Sequence, residues 1–71
     1  MAEQKRMTVT FLAPTVEDIE WLTGHTGVGQ ADVINKAVKV YAMIERELAD
    51  GGKRLAFESV STGATERIII V

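Results

Sequence analysis

Arg6-Met7-Thr8-Val9-Thr10-Phe11 alternates without a break. Arg6, Thr8 and Thr10 share one face; Met7, Val9 and Phe11 share the other. Period two in Thr, Val and Phe spells a half-buried strand. A single strand has two unpaired edges and does not persist alone in water. The next strand-like run lies beyond Gly52, so the economical partner is the same segment of a second chain. That pairing sends Met7, Val9 and Phe11 into a shared core and leaves Arg6, Thr8 and Thr10 outside it.

Working outward, residues 1–5 read as a polar arm. On the other side, Ala13-Pro14-Thr15 ends the strand, and Thr15 is expected to cap a helix whose first turn is acidic through Glu17 and Asp18. Val16, Ile19, Leu22 and Thr23 recur at helical spacing over roughly three turns. Gly24 weakens this helix and Gly27 ends it, with Gly27-Val28-Gly29 as a tight connection. A second helix is expected from about Gln30 to Ala49. Its stripe is Ile34, Ala37, Val38, Tyr41, Ile44 and Leu48, widened by Val33 and Val40, and is too broad for one short helix to cover. Gly51-Gly52 stands where a helix C-cap belongs. Lys53–Val60 and Thr65–Val71 then read as a hairpin about Ser61-Thr62-Gly63-Ala64. Its last segment, Arg67–Val71, is apolar on both faces and must be covered or paired.

Composition narrows the function classes. A chain of 71 residues is one domain with a small core, and it contains no cysteine for disulfides or thiolate metal sites. Domains of this size then rely on a metal or a second subunit. His25 is the single histidine; without converging carboxylates it reads as an exposed residue at a helix C-terminus, and no cofactor or metal is expected. Trp21 lies off its helix stripe and is expected to anchor the hairpin. No nucleophile sits beside a base, so enzymatic activity is not expected. The glycines at 24, 27 and 29 lack the preceding strand and the pattern of a nucleotide loop. No apolar run is long enough for a membrane span, and the first residues lack the hydrophobic core of a signal peptide, so a cytoplasmic location is expected.

Net charge is −2, which by itself disfavours nucleic acid. The distribution is uneven, however. Glu17, Asp18 and Glu20 concentrate acid in the first helix, whereas Lys5 and Arg6 make the N-terminal end positive.

The order strand, short helix, glycine-containing turn, longer helix resembles the ribbon-helix-helix family of DNA-binding proteins. Arg6–Phe11 resembles its ribbon, Gly27-Val28-Gly29 its turn, and Val33-Ile34-Asn35-Lys36-Ala37-Val38 the start of its second helix. The resemblance covers residues 6–49 and leaves the hairpin, 53–71, outside it. It implies a mainly α fold with β, a homodimer built on an intermolecular antiparallel ribbon that enters the major groove of double-stranded DNA. Arg6, Thr8 and Thr10 would then contact bases, since Arg can donate twice to guanine and Thr can bond or touch a thymine methyl. Lys5, Gly29, Gln30 and Lys36 would contact phosphate, the backbone amides at the start of the second helix among them. Met7, Val9, Phe11, Ile34, Val38 and Tyr41 would form the dimer core. Gly29 departs from the family's usual Ser, Thr or Asn cap, and Asp32 would oppose a phosphate. The implied function is a transcriptional regulator, a repressor, whose dimers can assemble further on DNA. The rival expectations are an antitoxin-like adaptor that captures a protein partner on the C-terminal strand, and an interaction module that no longer binds DNA.

Overall fold

A computed structural model describes residues 3–70. Met1 and Ala2 of the expected arm, and Val71 of the expected last strand, lie outside the described residues. The chain forms two helices and one two-stranded antiparallel sheet, in the order α1 (Ala13–Thr26), α2 (Gln30–Leu48), β1 (Ala56–Glu58) and β2 (Thr65–Arg67). It divides into two compact units, Met1–Ile34 and Asn35–Val71.

In the first unit, residues 3–11 belong to no helix or strand of this single chain. Leu12 is extended, with φ −67° and ψ 150°, and its carbonyl accepts the Val16 amide at 3.1 Å. Helix α1 therefore starts at Ala13 and not after Thr15. The reason is Pro14: its fixed φ suits the first turn, where its missing N–H leaves no bond unmade. The correction has two consequences. Thr15 is not the cap, which has no side-chain hydrogen bond, and Glu17 and Asp18 fall beyond the first turn. At 14 residues the helix also runs nearly a turn longer than expected.

Helix α1 closes where the glycines predict. Thr23 and Thr26 turn their hydroxyls back onto the carbonyls of Glu20 and Leu22 at 2.8 and 2.7 Å. Gly27 takes the left-handed conformation, φ 74°, and donates its amide to the Thr23 carbonyl at 3.0 Å. Ile19 and Val33 are the buried hydrophobic residues among those described, with Leu22, Thr23 and Ile34 half-buried.

A side chain at position 27 would meet nothing within 4 Å, so only backbone strain opposes it. Gly27→Ala is expected to cost about 1 kcal/mol in urea unfolding, with the slope unchanged. Gly29 has no left-handed φ and equally open surroundings. Gly29→Ser therefore leaves stability equal or raises it by about a few tenths of a kcal/mol through capping.

In the second unit, α2 ends at Leu48, whose carbonyl accepts the Gly51 amide at 3.1 Å with Gly51 at φ 76°. Asp50 Oδ1 accepts the Gly52 amide at 2.8 Å, and Lys53 pairs with Glu47 across the turn. The hairpin is shorter than its apolar run suggests. Its register pairs Ala56 with Arg67, Phe57 with Glu66 and Glu58 with Thr65. Ser59 and Ala64 close the loop at 2.7 Å, with Gly63 left-handed at φ 73°. Beyond Arg67 one further bond, Ile68 amide to Leu55 carbonyl at 2.9 Å, extends the pairing, and Ile69 and Ile70 lie outside the strand. Half-buried Ala42, Ile44, Leu48, Leu55 and Ile68 supply this unit's apolar packing.

Candidate nucleic-acid interface

The side chains expected to face DNA are all accessible. Lys5, Arg6, Thr8 and Thr10 are exposed along the segment before α1, and Gly29 and Gln30 are exposed where α2 begins. Lys36 is exposed on α2 itself. The ion pair among the described residues is Lys53–Glu47, which leaves Lys5, Arg6 and Lys36 without a carboxylate partner there.

At the start of α2 the Gly29 carbonyl accepts the Val33 amide at 3.0 Å, so Gly29 occupies the cap position without offering a side-chain oxygen. Amides in a first helical turn point out of the helix, towards any anion placed there. Asp32 sits in that same turn and satisfies part of the helix dipole from within. An incoming phosphate competes with this carboxylate, which lowers the gain from the cap.

The residues expected in a dimer core are exposed in the single chain to a degree that their chemistry does not favour. Met7 is 83% exposed, Val9 58% and Val38 64%. Phe11 and Tyr41 are exposed as well, and Ile34 is half-buried. The Tyr41 phenol is held above its usual pKa, first by hydrogen bonding to Glu45 and then by that carboxylate's charge.

Two features escape sequence reasoning. Trp21, expected as a hairpin anchor, is exposed and stacks on His25, with ring centroids 4.7 Å apart and planes 10° from parallel. Their separation of four residues is the only signal that could have found this pair. The second is a groove of ≈ 250 Å³ lined by Met43, Ile44, Leu48 and Leu55 beside Lys53 and Arg54. No periodicity joins a helix end to the strand that follows it, so the groove was not legible. Among the described residues no group of His, Cys, Asp or Glu is arranged to hold a metal, and no helix is long and apolar enough to cross a membrane. Comparison with protein-family models, with characterised proteins and with solved structures finds no match to this chain.

Proposed function

We propose that this chain is a homodimeric, sequence-specific DNA-binding regulator, a repressor of ribbon-helix-helix type acting in the cytoplasm. The observation that carries the reading is the segment Arg6–Phe11. It alternates polar and apolar residues, holds no partner strand in its own chain among the described residues, and is exposed on both faces. Pairing with its copy satisfies the strand edges and buries Met7, Val9 and Phe11 at once. The free face is then Arg6, Thr8 and Thr10, repeated on both strands and chemically suited to base edges in the major groove.

The helices support the same reading. α1 and α2 are joined by three residues that end one helix and cap the next. Exposed apolar residues on α2, Val38 and Tyr41 among them, extend the dimer seam beyond the ribbon. An acidic chain can bind DNA in this way when its specific contacts come from the ribbon and from helix amides.

Selection of random duplexes on the purified protein tests the proposal. The wild type enriches a short motif, and the Thr8→Ala, Thr10→Ala double variant loses it. An intact dimer that enriches nothing rejects the reading. It would favour the second one, an antitoxin-like interaction module, to which the exposed Ile69 and Ile70 give specific support. An apolar segment of that kind can add to the edge of a partner protein's sheet.

A further inference from the structure

Trp21 stands on the outer side of α1. Ile19, the buried residue of that helix, lies two positions before it and therefore about 200° around the axis. Residues three and four apart share a face, so the neighbours of Trp21 are Glu17 and Asp18 before it and Gly24 and His25 after it. All four are exposed. His25 stacks on one side of the indole, yet Trp21 stays 63% exposed, which leaves its other side open to solvent. Glu17 and Asp18 have no lysine or arginine partner among the described residues, and α1 contains neither residue type. Gly24 lies inside the helix, where glycine costs stability, and the fold does not require it there. Its φ is not left-handed, and a Cβ would meet nothing within 4 Å. Its missing side chain leaves clear space beside the indole.

We infer that this face binds an arginine side chain from a basic segment of a partner protein. The guanidinium stacks on the open side of Trp21, while Glu17 and Asp18 supply the opposite charge. Tryptophan is the best ring for a cation, and the planar, weakly hydrated guanidinium can stack while its N–H donors still reach a carboxylate. The space at Gly24 lets the partner approach the helix closely. Charge selects this occupant over two others. The carboxylates repel a nucleic-acid phosphate, and a second copy of α1 would bring the same carboxylates face to face. The inference does not rest on DNA binding, since neither residues 6–11 nor the start of α2 takes part.

Anisotropy of a labelled hexa-arginine peptide, titrated with the full chain, tests it. Saturable binding is expected, and Trp21→Leu and the Glu17→Gln, Asp18→Asn double variant each weaken it about fivefold or more. Asp32→Asn removes the same kind of charge from α2 and leaves binding unchanged. Gly24→Gln fills the space beside the indole and weakens binding without loss of helicity. Trp21 is the single tryptophan, so its emission reads the same contact in the unaltered chain, where hexa-arginine shifts it more than hexa-lysine does. The inference is overturned by a peptide that does not saturate, by Trp21→Leu binding as tightly as the wild type, or by Asp32→Asn weakening binding as much as the double variant. An indole emission that responds equally to both peptides overturns it too, whatever the variants do. Self-association lost in Trp21→Leu would assign the face to Lys5 or Arg6 of a second copy and overturn the partner protein.

Discussion

Arg6→Ala abolishes preference for the selected operator while leaving most non-specific affinity in place. A bidentate arginine–guanine contact discriminates by about 1–3 kcal/mol, and a two-fold dimer makes it twice. The expected loss on the operator is therefore about 2–6 kcal/mol, roughly 30-fold to twenty-thousand-fold in the dissociation constant. On a scrambled duplex the loss is that of removed charge only, which salt screens. Arg6 is exposed and has no carboxylate partner among the described residues, so its removal leaves no unpaired group in the fold. Fluorescence anisotropy on both duplexes at several salt concentrations measures the difference. Gln30→Ala serves as the contrast, weakening both duplexes alike from its place at the start of α2. Lys5→Ala reduces the salt slope by about two per dimer. Equal loss on operator and scrambled DNA in Arg6→Ala would reassign this side chain to the backbone.

Legibility followed the range of each signal. Gly27 and Gly51 are both left-handed, as helix-ending glycines should be, because the constraint acts within one residue. The stripe of α1 placed Ile19 correctly, whereas the start of that helix was misread because Pro14 both ends a strand and opens a helix. Thr15 looked like a cap by residue type, but the cap position is fixed by where the backbone first turns. The hairpin's existence and its turn were readable from two strand-like runs flanking Ser61-Thr62-Gly63-Ala64. Its extent was not, because Ile68, Ile69 and Ile70 satisfy a strand pattern on either face and leave the end of pairing undetermined. Long-range features were the hardest. Trp21 on His25 and the groove beside Leu48 each depend on which groups meet in space. The breadth of the α2 stripe was informative for the opposite reason. Val38 and Tyr41 remain exposed on a helix that their spacing makes amphipathic, so the pattern named an apolar face without naming what covers it.

Val9→Lys separates a ribbon dimer from every arrangement in which residues 6–11 stay single. In the isolated chain Val9 is 58% exposed, where a lysine changes stability by about 0.5 kcal/mol or less. In a paired ribbon the same side chain points into the shared core beside Met7 and Phe11. An ammonium held there without a partner costs several kcal/mol, and the two-fold places two of them in one core. The dimer dissociation constant is then expected to rise by about a thousandfold or more, with operator binding lost. Subunits that depend on assembly for their stability also melt lower, and the melting temperature of the wild type rises with protein concentration. Thr8→Lys, one residue away on the opposite face, is the decisive comparison. It keeps the dimer, adds charge facing DNA, strengthens non-specific binding at low salt and erases operator preference. Sedimentation equilibrium and melts by circular dichroism at two concentrations distinguish the pair. If Val9→Lys assembles as the wild type does, the strands do not pair, and surfaces outside residues 6–11 must carry the dimer. If the two substitutions split as expected, the alternation of six residues decides both which face meets the copy and which face meets DNA.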